Sequence, residues 1–119
     1  MLSVLHFWLG LTVVLLNLLA ASWLGLIQAR GLAVSDGARW ALWLARAAVM
    51  LQALLGVFLT INGYVGDQIH YFFALVAIVL VFVAFRSPKL NDTITKQAAT
   101  CAIIAVVTAC AFLFGRMAS

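Results

Sequence analysis

The chain has 119 residues, of which 67% are hydrophobic and only 8% are charged. A water-soluble domain of this size needs far more polar side chains to cover its surface, so the composition excludes an ordinary soluble protein. The formal net charge is +4, but most of the cations lie in short segments between apolar runs, so no nucleic-acid partner is expected. The composition instead predicts an integral membrane protein in contact with a lipid bilayer.

Four apolar stretches approach or exceed the roughly 20 residues that a helix needs to cross the hydrocarbon core. They lie at about residues 2–27, 40–61, 69–85 and 97–114. We therefore predict an all-α fold, in which residues 1–119 form a single domain, a bundle of four transmembrane helices. The first stretch is expected to be retained rather than cleaved as a signal peptide, because no Lys or Arg precedes it.

The positive charges predict the orientation of these helices. Six cations lie in or beside the first and third loops: Arg30, Arg39, Arg46, Arg86, Lys89 and Lys96. The second loop, residues 62–68, contains no Lys or Arg. By the positive-inside rule, the first and third loops face the cytoplasm, and both termini and the second loop face outward. We expect the membrane to be a bacterial or archaeal cytoplasmic membrane.

Several polar residues lie within the predicted helices. Asn17 and Gln52 are predicted to form hydrogen bonds between helices and so to fix their register. Arg46 lies just inside the second helix, where its long stem can reach the cytoplasmic boundary. Cys101 and Cys110 are nine residues apart in one helix, about 13 Å along its axis, so they cannot form a disulfide within one chain and are expected to be small packing residues.

The only two histidines occur in closely similar contexts. Leu5-His6-Phe7-Trp8 and Ile69-His70-Tyr71-Phe72 each have an aliphatic residue before the imidazole and two aromatic residues after it. If the first and third helices cross the membrane in the same direction, the two imidazoles lie at the same depth. The repetition suggests duplication of a two-helix unit, with an approximate two-fold axis that runs along the membrane normal between the histidines.

Histidine is costly in a bilayer and is usually retained there for ligation, proton transfer or pairing. Only two ligands are available, with no Cys or Glu nearby to complete a zinc site, whereas a macrocycle that supplies four nitrogens needs only two more. We therefore predict that His6 and His70 are the metal ligands of a bis-histidine haem b site. The other predicted cofactor-binding residues are Phe7, Trp8, Tyr64, Gln68, Tyr71 and Phe72. A chlorophyll, which usually takes one axial ligand, is an alternative.

The segment 51–60, LQALLGVFLT, followed by a short loop and Gln68-Ile69-His70, resembles the third and fourth helices of one half of the haem A synthase family. In that family a Gln-x-x-x-Gly helix leads through a short outer loop to a helix that begins near a haem-ligating histidine. His6 and the apolar run after it resemble the second helix of such a half. The resemblance covers about residues 4–85, extends more broadly to cytochrome b-type membrane haem proteins, and implies axial ligation by His6 and His70 on the outer side.

The chain also differs from that family, because it has four helices rather than eight. The family's Glu-x-x-His-Arg motif corresponds here to Ser3-Val4-Leu5-His6-Phe7, without the acid or the arginine. We therefore expect electron transfer or haem handling rather than enzymatic chemistry, in a small subunit of a respiratory-type assembly that contacts partner membrane subunits or further copies of itself. The alternative is a cofactor-free structural or accessory subunit of a larger membrane complex. A transporter component is less favoured, because the predicted helices carry no acidic residue.

Overall fold

The computed structural model describes residues 2–33, 35–63, 68–91 and 93–117. These residues form, in chain order, α1 (Leu2–Ala29), α2 (Asp36–Ile61), α3 (Gln68–Arg86), a 3-10 turn (Pro88–Asn91) and α4 (Ile94–Met117). The four α-helices pack into an all-α bundle measuring 48 × 23 × 20 Å. Each is long and apolar enough to cross a bilayer, which indicates a membrane protein with four candidate spans.

Polar side chains immediately before α2 and α4 start these helices earlier than the apolar pattern predicts. Ser35 Oγ accepts a hydrogen bond from the backbone N–H of Ala38 at 3.2 Å, which caps the first turn of α2. Thr93 Oγ1 accepts a hydrogen bond from the N–H of Lys96 at 3.2 Å. The two helices therefore begin four and three residues before the predicted positions 40 and 97.

A glycine ends α1. Gly31 has a φ of +62°, a conformation that residues with a Cβ atom rarely adopt. Its N–H donates to Gln28 O at 3.1 Å, and the N–H of Leu32 donates to Ile27 O at 3.0 Å. This pair of hydrogen bonds satisfies carbonyls that the helix end would otherwise leave unpaired. The first loop can therefore turn back into α2 within a few residues.

The four helices do not contact one another equally. α1 packs most extensively against α4 and then against α2, and α3 packs mainly against α4. The contact between α2 and α3 is the least extensive of the four, although the short loop between them makes them adjacent. α1 and α3 consequently lie diagonally opposite each other, so side chains from both can meet in the interior of the bundle.

The buried core consists largely of small and branched apolar residues, which allow close approach of the helices. One cluster lies towards the end of the bundle that holds the first and third loops: Ala20, Leu24, Ile27, Ala38, Leu42, Ala45 and Cys101. A second cluster lies further along the bundle: Val13, Val49, Ala77, Val81 and Ile104. Cys101 is buried and Cys110 is half-buried, and both are free thiols, as predicted.

The two amides of α1 and α2 form hydrogen bonds between these helices, which confirms the prediction made for them. Asn17, which is fully buried, donates from Nδ2 to Val13 O at 2.9 Å and makes a longer hydrogen bond to Ala45 O on α2 at 3.5 Å. Gln52 donates from Nε2 to His6 O on α1 at 2.9 Å. These contacts fix the register of α1 against α2 at two levels.

Arg46 is buried rather than extended to the boundary. Because α2 begins at Asp36, Arg46 is ten residues into the helix, and its side chain is only 1% exposed. Its Cζ lies 5.7 Å from the ring centre of Phe85 on α3, a cation–π contact. The Phe85 ring in turn packs against Trp43, with the ring centres 5.0 Å apart. The guanidinium therefore contributes to the contact between α2 and α3.

Candidate functional site

The fold brings the two histidine rings together. His6 lies in the second turn of α1 and His70 in the first turn of α3, on diagonally opposite helices. Their ring centres are 6.2 Å apart and the ring planes are inclined at 81°. Both side chains are half-buried. The similar contexts of the two histidines in the sequence therefore correspond to proximity in space.

The His70 ring is held in one orientation by α4. Its Nδ1 lies 2.6 Å from the backbone oxygen of Ala111. Because a carbonyl oxygen can only accept, Nδ1 must carry the proton in this contact. In the neutral ring this tautomer leaves Nε2 as the unprotonated nitrogen, which is the atom available to bind a metal ion. Metal-ligating histidines commonly donate their other N–H to a carbonyl in this way.

The His6 ring faces Gly56 of α2 through Cε1, the carbon between its two nitrogens. At Gly56 of α2, an added Cβ atom would lie 3.3 Å from His6 Cε1 and 4.0 Å from Nε2. A larger residue at this position would press on the ring at Cε1. His6 Nδ1, which is bonded to Cε1, is buried and has no hydrogen-bond partner among the described residues. The ring is thus positioned by packing, without the hydrogen bond that orients His70.

Gln52 lies directly against residue 6 and is accommodated by a glycine of α1. A Cβ atom at Gly10 would be 2.9 Å from Gln52 Nε2 and 3.3 Å from Cδ2 of Phe112 on α4. Only a residue without a side chain leaves this space for the amide. Gly10, Gln52 and Phe112 therefore form the wall of the site immediately next to His6 in the interior of the bundle.

The predicted aromatic neighbours differ in exposure, because Phe7 is half-buried whereas Trp8, Tyr71 and Phe72 are exposed. Phe7 is half-buried and packs against Phe112, with ring centres 5.1 Å apart. The Tyr71 hydroxyl lies 3.2 Å from Thr60 Oγ1 and joins α3 to α2. Trp8 and Phe72 are 58% and 62% exposed, so most of their surface faces away from the bundle.

Of the two predicted polar residues, Gln68 is exposed at the first position of α3. Tyr64 lies outside the described residues. Sequence reasoning missed the contribution of α4, where Ala111 orients His70 and Phe112 packs against Phe7. No local motif marks these two residues, and only the packing of α4 against both α1 and α3 identifies them.

Within the described ranges, the two histidines do not belong to a larger group of metal-ligating side chains. Among the described residues, no group of three or more His, Cys, Asp or Glu side chains could hold a metal ion. Two imidazoles alone do not complete a tetrahedral site. A metal–imidazole bond is about 2 Å and the ring centre lies roughly 1 Å beyond the nitrogen, so two axial imidazoles have centres about 6 Å apart. The observed 6.2 Å matches this spacing.

Comparisons of the chain with protein-family models, with curated proteins and with solved structures find no match.

Proposed function

We propose that this protein is an integral membrane haem protein that binds one haem b through His6 and His70. The observation that carries the proposal is the pair of imidazoles 6.2 Å apart at one end of the bundle. The proton on His70 Nδ1, held by Ala111 O, supports the same assignment, because it leaves Nε2 as the metal-binding nitrogen of that ring. Haem b bound in this way supplies one-electron exchange between ferric and ferrous iron.

The residues around the pair provide an apolar environment with few polar groups. Phe7 and Phe112 pack on one another beside His6 and give that side of the site an apolar surface. The hydrogen bond between Thr60 and Tyr71 joins α2 and α3 near the histidine end of the bundle. His6 and His70 would hold the iron from the two sides of the haem and would leave no position for oxygen, so the function we propose is electron transfer or haem handling.

We also propose how the helices are oriented in the membrane and in which membrane the protein resides. The cations of the first and third loops favour a cytoplasmic location of these loops, which leaves both termini and the histidine end on the outer side. A two-fold pseudo-repeat that relates the α1–α2 pair to the α3–α4 pair would account for the repeated histidine context. The setting is a bacterial or archaeal cytoplasmic membrane, with one-electron carriers as redox partners and with partner membrane subunits or further copies of the chain.

An optical spectrum of the purified full-length protein tests the proposal. Protein from haem-replete cells should contain one haem b per chain and show a six-coordinate low-spin spectrum. His6→Ala and His70→Ala should each abolish that spectrum. Leu5→Ala and Leu75→Ala are matched controls, because both leucines are exposed on the same helices, and these variants should keep the wild-type spectrum.

A colourless wild-type protein that is folded and helical would refute the proposal. Retention of the low-spin spectrum by either histidine variant would refute the assignment of axial ligands. If the wild-type protein is colourless, the alternative function is that of a cofactor-free accessory subunit of a larger membrane complex. The histidine variants should then assemble with that complex as the wild type does.

A further inference from the structure

Two buried polar atoms, on the contacting residues His6 and Gln52, are complementary in chemistry, and neither has a hydrogen-bond partner among the described residues. One is Nδ1 of His6 and the other is Oε1 of Gln52. The Gln52 amide already contacts residue 6, because its Nε2 donates to His6 O at 2.9 Å. Buried polar groups are rarely left unpaired, so this pair requires an explanation.

Ligation of a metal ion by His6 would require a proton on Nδ1 and an acceptor for it. An imidazole that binds a metal through Nε2 carries its proton on Nδ1 and usually donates it to a nearby acceptor. His70 has such an acceptor in Ala111 O, at 2.6 Å. Among the described residues, no backbone carbonyl accepts a hydrogen bond from His6 Nδ1. Gln52 contacts residue 6, and its amide oxygen, which can only accept, has no donor among these residues.

We infer that Gln52 is the positioning residue for His6, with its Oε1 accepting a hydrogen bond from the Nδ1–H of His6 when the site is loaded. This inference rests on the proposed function, because it assigns the tautomer and electron density of a haem ligand. A stronger acceptor on Nδ1–H makes the imidazole a better electron donor and stabilises ferric iron. Gln52 therefore sets the midpoint potential of the site as well as the orientation of the His6 ring.

Gly10 leaves the space that the Gln52 amide occupies. A methyl group at this position would lie 2.9 Å from Gln52 Nε2, which is the flexible end of a side chain. Gly10→Ala should therefore displace the amide from His6 without removing any hydrogen-bonding group. Gly25 on the same helix has no atom within 4 Å of an added Cβ, so Gly25→Ala is a matched control for the change in helix composition.

Redox titration of the purified full-length protein tests the inference. Gln52→Leu removes the acceptor and should raise the midpoint potential, with a loss of haem affinity of about 10- to 100-fold. Gln52→Glu supplies a stronger acceptor and should lower the potential while the low-spin spectrum is kept. Gly10→Ala should shift the potential in the same direction as Gln52→Leu, by a smaller amount.

Asn17→Leu is the control for loss of a buried amide. Asn17 also forms a hydrogen bond between α1 and α2, but it is eleven residues from His6, about 16 Å along the helix. This variant should lose stability and keep the wild-type potential, as Gly25→Ala should. A purely structural role for Gln52 predicts that Gln52→Glu, Gln52→Leu and Gly10→Ala all keep that potential.

The outcomes separate this inference from the proposed function. A wild-type protein without haem contradicts the proposed function. A wild-type protein with haem, together with an unchanged potential in Gln52→Glu and Gly10→Ala, contradicts only the role of Gln52. If Gln52→Leu fails to bind haem, the inference is tested by the midpoint potential of Gln52→Glu. A potential that is unchanged or raised relative to the wild type overturns the inference.

Discussion

Gly56→Ala should stabilise the fold and weaken haem binding at the same time. Replacing a helical glycine with alanine favours the helix by about 0.5–1 kcal/mol. The new Cβ atom would lie 3.3 Å from His6 Cε1, so the ring must move by a few tenths of an ångström. No hydrogen bond from Nδ1 to a described residue restrains the His6 ring. The apoprotein should therefore keep most of the gain in stability.

The same displacement is unfavourable for ligation. Metal–ligand distances tolerate only about 0.2 Å, and an imidazole turned from its preferred rotamer to restore the bond costs about 0.5–1.5 kcal/mol. That cost corresponds to a loss of haem affinity of about 2- to 10-fold. Thermal unfolding of the apoprotein in detergent and haem titration of the same preparation measure the two effects.

Gly25→Ala provides the control for this prediction. The space around Gly25 is open, so the substitution should give the gain in helix stability with no change in haem affinity. The reasoning is refuted if Gly56→Ala binds haem as tightly as the wild type, or if Gly25→Ala weakens binding to the same extent. Either result would mean that the packing of Gly56 against His6 has no influence on the ligand.

Three further predictions concern the fold. Ser35→Ala removes the cap of α2 and should cost about 1 kcal/mol of unfolding free energy; an unchanged midpoint in detergent unfolding would contradict the capping role. Ile104→Ala, at a fully buried position, should cost about 2–5 kcal/mol. Ile103→Ala, at a neighbouring position that is 53% exposed, should cost much less, and equal losses would contradict the packing of α4. Tyr71→Phe removes the hydrogen bond to Thr60 and should destabilise by about 0.6 kcal/mol, and a gain in stability would count against that contact.

The four helices could be predicted because a bilayer imposes a simple requirement on composition and length. Apolar runs of sufficient length locate the spans, and charged or turn-forming residues separate them. The ends were less predictable, because capping depends on single side chains. Ser35 and Thr93 extend α2 and α4 by four and three residues into segments whose composition is not apolar.

The candidate site was predictable only in part. The shared context of His6 and His70 indicated that the two imidazoles lie at one depth, and the observed rings are close enough to make contact. The parts supplied by α4 were not predictable, since the backbone oxygen of Ala111 and the ring of Phe112 carry no signature in sequence. Arg46 shows the same limit, because its burial against Phe85 depends on how α2 meets α3.

Electron paramagnetic resonance of the ferric protein tests the central proposal most directly. The imidazole planes are inclined at 81°, and rings that held the iron at this angle would leave the two iron d orbitals that they overlap close in energy. The wild-type protein should therefore give a strongly anisotropic low-spin ferric signal, and this signal should be lost in His6→Ala and in His70→Ala. A high-spin signal from the wild type, or a low-spin signal that survives either substitution, would contradict ligation of one iron by these two histidines.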